Sequence, residues 1–108
     1  MTTSSPREDN NTDKSLAVAE SQNSLGTYYV AAGMFGEGEA LLKQSLASYE
    51  KILGKEHSDV ANVRNNLASL YFTEGRYNEA LPLFEWSLAV VERSRRLAVH
   101  LMNPRRRL

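Results

Sequence analysis

Residues 58–93 read SDVANVRNNLASLYFTEGRYNEALPLFEWSLAVVER, and this stretch decides the fold. Ser58 has an N-cap side chain, and Asp59 places an acid in the first turn, where a helix dipole favours it. Leu67, Leu70 and Tyr71 then fall on one helical stripe. Gly75 frees the backbone to turn. A second helix begins near Tyr77. Pro82 stands barely past its first turn, so losing one hydrogen bond and crowding the Asn78 carbonyl predicts a mild kink, not a break. That helix is expected to reach His100 or Met102, and Asn103-Pro104 to stop it.

The preceding chain repeats this pattern. From Ser15, Leu16, Ala19, Leu25, Tyr28, Tyr29 and Ala32 form an amphipathic stripe that Gly33 ends. A second run from Glu37 to Leu53 closes at Gly54, expected as a left-handed cap, and Lys55-Glu56-His57 connects it to Ser58. Sliding the chain by 42 residues aligns Leu25 with Leu67, Tyr29 with Tyr71, Gly33 with Gly75, Glu37 with Glu79, and Ser45-Leu46-Ala47 with Ser87-Leu88-Ala89. There are 12 identities over 37 aligned positions, far above chance. The matched positions agree physically. Leu67 and Ala68 let the two helices approach, Tyr71 fills the space between them, and Tyr77 packs back over the turn. Ala80 is small because helices cross there, and Gly38 takes the same place in the first copy. A repeated two-helix unit is the signature of an α-solenoid.

The expected fold is all-α: two antiparallel helix-turn-helix units spanning 15–93 (15–54 and 57–93), with a helical extension and basic tail over 94–108. Residues 1–14 are polar, lack apolar periodicity and are expected to be disordered. With 108 residues there is room for one small domain. No apolar run suits a membrane span, and no cysteine is present for a disulfide or thiolate site. The expected location is the cytoplasm. Net charge is zero but segregated. Five basic and ten acidic residues lie between Ser15 and Glu92, against six arginines and no acid from Arg93 onward.

The run N-N-L-A-S-L-Y, followed by G-R-Y-N-E-A-L-P-L-F, resembles a tetratricopeptide repeat. The 42-residue spacing, with L-G-K-E-H-S-D-V-A between the units, resembles the kinesin-light-chain type of that family. Gly36 and Gly38 make the first copy the weaker match, each costing about 1 kcal/mol of helix propensity. The resemblance implies a non-catalytic, protein-binding scaffold whose first helices line a concave groove for a peptide or partner helix. Carried over by position, the first unit contributes Glu20, Asn23, Thr27, Val30 and Ala31 to the groove. The second contributes Asn62, Asn65, Asn66, Ser69, Phe72 and Thr73. Asparagine amides both donate to and accept from a peptide backbone. Relatives that clamp a C-terminal carboxylate use lysine and arginine from these helices. Here Arg64 is expected to pack inward and Glu20 would repel a carboxylate, so a neutral or basic ligand, or a helix with apolar anchors, fits better.

The pattern fails after Arg93, where a third unit should follow. Solenoids need about three units to bury a continuous core. The last helix should therefore leave Leu81, Phe84, Leu88 and Val91 partly uncovered, open to the tail, to a second copy, or to the next unit of a longer array of which this chain is a truncated or capping fragment. A further alternative is binding of nucleic acid or an anionic membrane through the C-terminal arginines, Arg105, Arg106 and Arg107 together with Arg93, Arg95 and Arg96. The absence of interleaved aromatics disfavours base stacking. Trp86 is expected to pack between helices or against the tail, and His57 and His100 stand apart from any metal-ligand spacing. No pattern for a nucleophile, paired carboxylates, a phosphate loop, a cofactor, a metal or a small-molecule substrate appears.

Overall fold

The computed structural model describes residues 4–102, with side chains described from residue 11. Four helices form two hairpins: α1 (Ser4–Ala31) with α2 (Phe35–Leu53), and α3 (Ser58–Thr73) with α4 (Tyr77–Met102). The hairpins stack through α2 and α3. Buried Val60, Val63, Leu67, Ala68, Leu70 and Tyr71 put α3 at the centre of the core, with Leu42 and Tyr49 of α2 on one side and Ala80 of α4 on the other. By contrast, among its described side chains α1 buries only Ala19 and Gly26, as an end helix with one covered flank does.

The repeat holds down to single hydrogen bonds. Ser45 Oγ donates to the Ala19 carbonyl at 2.7 Å, and 42 residues on Ser87 Oγ donates to the Ala61 carbonyl at 3.0 Å. Both hydroxyls are buried, and each ties the second helix of a hairpin to the first. The turns match as well. Gly33 (φ 85°) and Gly75 (φ 78°) take positive φ, while the Met34 N–H reaches the Tyr29 carbonyl and the Arg76 N–H the Tyr71 carbonyl. This six-to-one closure satisfies carbonyls that the helix end would otherwise orphan.

In the first unit the helices meet at glycines. A Cβ on Gly38 would stand 2.5 Å from Val30 Cγ2 and 3.0 Å from the Gly26 carbonyl oxygen. Ala68 and Ala80 hold the equivalent crossing in the second unit. Pro82 does not break the helix: α4 runs through it to Met102.

Four expectations need correcting. The first helix starts at Ser4, not Ser15. Pro6 lies in its first turn, where a missing N–H costs nothing, and a helix already nucleated downstream extends cheaply. The stripe on α1 reaches the core only in part: Ala19 is buried and Leu16 packs against the core, but Leu25 is 45 % and Tyr28 65 % exposed. Gly54 has positive φ (88°) with ψ 159°, so it is extended, outside the left-handed helical region. The residue capping α3 is His57, not Ser58; its Nδ1 accepts the Asp59 N–H at 3.0 Å. Residues 103–108 of the expected extension lie outside the described residues.

Candidate functional site

A strip along the first helices follows from the helix register. Residues three and four apart share a face, so Glu20, Asn23 and Thr27 align along α1, and Asn62, Asn65, Asn66, Ser69, Phe72 and Thr73 along α3. Asn66 Nδ2 donates to Asn23 Oδ1 at 2.9 Å, a bond that crosses between the units and joins the two rows. It occupies one donor and one acceptor and leaves each amide further capacity. The threonines offer less than the sequence suggested. Thr27 Oγ1 donates to the Asn23 carbonyl and Thr73 Oγ1 to the Ser69 carbonyl, so neither has a proton left for a ligand. Asn62, Asn65 and Ser69 are exposed. Phe72, 55 % exposed, meets Tyr77 edge-on with ring centroids 5.0 Å apart and supplies an apolar end to the strip. Glu20 lies with Leu25 and Tyr28 in a shallow depression on α1.

Charged groups fasten the units together beneath this strip. Arg64 turns inward to Glu50, and its guanidinium lies 4.8 Å from the ring centre of Trp86. It is therefore not presented to a ligand carboxylate, and Trp86 is half-buried packing. Glu39 on α2 accepts from the Tyr71 hydroxyl at 2.9 Å and pairs with Arg76 at 3.1 Å and Lys43 at 3.0 Å. Burial pushes the Glu39 carboxyl up, but hydrogen bonds from Lys43, Arg76 and Tyr71 outweigh it and hold it down at about 2. Arg76 also reaches Glu74 and Glu79 within its own unit, and its contact with Glu39 ties the second turn to the first unit.

The second surface is the open side of α3 and α4. Leu81, Leu88 and Val91 are 55 %, 60 % and 52 % exposed, whereas Phe84 is half-buried against the core. A pocket of about 530 Å³ lies here, with Ser58, Ala61, Asn62 and Asn65 on one wall and Phe84, Ser87, Leu88 and Val91 on the other. The structure thus brings Asn62 and Asn65, expected on the groove, to the rim of the apolar end face. It leaves Leu81 outside that pocket. Sequence reasoning missed Ser58, Ala61 and Ser87 in the wall. It also missed the exposed apolar flank of α1. The signal was available, since the same 42-residue shift that matches Leu25 to Leu67 assigns Leu25 the face that Leu67 turns to its neighbour.

The arginines from Arg93 onward are mostly engaged where they are described. Arg93 pairs with Glu56 and Arg95 with Glu92, while Arg96 is exposed. Arg105, Arg106 and Arg107 lie outside the described residues. Among the described residues no three His, Asp or Glu side chains gather as a metal site, and no helix is long and apolar enough to cross a membrane.

Two stacked helical hairpins with a polar strip on their first helices define an α-helical repeat protein. Residues 14–93 match the family model described as tetratricopeptide repeat, and the chain belongs to that family. Repeats of this family generally mediate protein–protein interaction and are generally non-catalytic. No curated protein matches the chain.

Proposed function

We propose that the chain is a non-catalytic adaptor or scaffold module that binds an extended peptide, or a partner helix, along the α1–α3 strip. The observation that carries this reading is the Asn23–Asn66 bond. It makes one continuous row of two helices, from Glu20 through Asn65 and Ser69 to the exposed Phe72. Free amides and a hydroxyl suit a peptide backbone, and Phe72 with Tyr77 suits an apolar anchor. With Arg64 held inward and Glu20 exposed, the ligand is neutral or basic. The cytoplasmic setting belongs to the same proposal, as does the kinesin-light-chain type, which the repetition of the serine and turn hydrogen bonds at a 42-residue spacing supports.

The test is a random-peptide display selection on the chain, followed by affinity measurement with Thr27→Arg plus Ser69→Arg. These positions match under the repeat and are both exposed, so the variant fills the strip without disturbing the core. Enriched peptides should lose at least tenfold in affinity to the double variant. Undiminished binding, or no enrichment, overturns the assignment.

A second reading is a fragment or capping unit of a longer array. The observation that favours it is the pocket between α3 and α4, whose counterpart in the first unit is covered.

A further inference from the structure

The junction between the two units displays what an open end of either unit accepts. Inside the molecule α3 covers the flank of α2 that carries Leu42 (0 % exposed) and Tyr49 (7 % exposed). Their counterparts 42 residues on, Phe84 and Val91, line the open pocket beside Leu88. At the opposite end, α1 carries the counterparts of the α3 residues buried against that neighbour: Val18 for Val60, Leu25 for Leu67 and Tyr28 for Leu70. The α3 side chains are 0 %, 2 % and 0 % exposed, and the α1 side chains 53 %, 45 % and 65 %. One chain therefore presents, on opposite ends, both halves of a contact that it also makes internally.

From this we propose that a second copy of the chain fills the pocket: α1 of one copy docks against α3 and α4 of the next, head to tail. The polar contacts of the internal junction support this occupant. Glu39, with Tyr71 and Arg76, forms an ionic contact across it. The corresponding residues of a docked pair are Leu81 on one copy with Tyr29 and Met34 on the other. Glu has become Leu on one end and Arg has become Met on the other. Both are exposed here, Leu81 at 55 % and Met34 at 42 %. A change on one end alone would strand a charge at the junction; changed together, they exchange an ion pair for an apolar pair. Likewise the Asn23–Asn66 bond maps onto Asn65 with Ser24, and the Glu50–Arg64 contact onto Glu92 with Gln22. Each keeps a donor opposite an acceptor. The helical extensions fit the same arrangement. Overrunning their internal counterparts, α1 starts at Ser4 and α4 continues to Met102, and in the docked pair they run antiparallel at the same edge. The contact is heterologous, using different surfaces on the two copies, and it builds an open row that no symmetric dimer would.

The experiment is sedimentation velocity on the full chain over a hundredfold concentration range, with Leu25→Glu and Leu88→Glu made separately and mixed. Both residues are exposed, so circular dichroism should show unchanged helicity. Val18→Lys and Val91→Lys provide an independent pair should either glutamate disturb the fold. Wild type should gain mass beyond the dimer as concentration rises. Each single variant should stay monomeric, with association weakened at least tenfold. The equimolar mixture should restore one species of twice the monomer mass, because each copy retains the end that the other lacks. A monomeric wild type, association that survives Leu25→Glu, or a mixture that stays monomeric overturns the proposal; survival of Leu25→Glu alone would indicate symmetric pairing through α4.

Discussion

Gly36 and Gly38 stand two residues apart in the first turn of α2 and answer to different forces. A Cβ on Gly36 meets nothing within 4 Å. Gly36→Ala should therefore stabilise the protein by about 0.5–1 kcal/mol, since it restricts the unfolded chain without a clash. Gly38→Ala gains the same propensity but drives its Cβ into Val30 and toward the Gly26 backbone, and should destabilise by about 1–3 kcal/mol. Urea denaturation of the two variants, expected to shift the midpoint in opposite directions, checks this. The sequence showed why Gly38 is small, through its match to Ala80. It did not show that Gly26 meets it, because that depends on the depth to which two helices sink together. Glu39 is a second case. Its carboxyl is held at about 2, below its ordinary 4.5, so its contribution to stability is fully present above pH 4.5 and is lost as pH falls toward 2. The stability difference between wild type and Glu39→Gln should be constant above pH 4.5 and shrink below it. A difference independent of pH between 4.5 and 2 would contradict the assigned network. The motif marked Tyr71 and Gly75, but nothing in it linked Tyr71 or Arg76 to Glu39, which lies more than thirty residues earlier.

At the level of elements, α3 carries the fold. Its buried side chains serve both neighbours, and its start is fixed by the bond from the Asp59 N–H to His57 Nδ1. His57→Ala should cost about 1 kcal/mol, His57→Asn should recover most of it, and Ser58→Ala should cost little. Thermal unfolding of the three variants distinguishes this cap from one at Ser58, for which the order would reverse. Here sequence reading located the helix and misplaced its cap by one residue, because serine is the stronger capper by propensity and only the backbone decides which side chain faces the free N–H. The turns were more legible. Gly33 and Gly75 were marked as ends, and both take positive φ. The flank of α1 was less so: its apolar residues have helical spacing whether or not a neighbour covers them. Periodicity reports a stripe, but it takes the packing of an adjacent helix to make that stripe a core. Tyr28 and Leu25 keep the spacing and lack the neighbour.

For the whole molecule, the repeat made the architecture readable: two hairpins related by 42 residues, with matching serine bonds and matching turns. The strip was readable in outline only. Its row of positions followed from helix register, but the Asn23–Asn66 bond and the self-satisfied threonines arise from tertiary placement. Two surfaces that share Asn62 and Asn65 result: a polar strip on the first helices, proposed for a ligand, and exposed apolar ends, proposed for further copies. Blocking one end with Leu88→Glu isolates the first from the second. The decisive measurement is a ¹H–¹⁵N spectrum of the Leu88→Glu chain titrated with a peptide from the display selection. Shifts should concentrate at Thr27, Asn65, Ser69 and Phe72, with α2 unmoved. Shifts confined to α2, or to the outer face of α4, would contradict the central claim that the first helices of the two units form the binding surface.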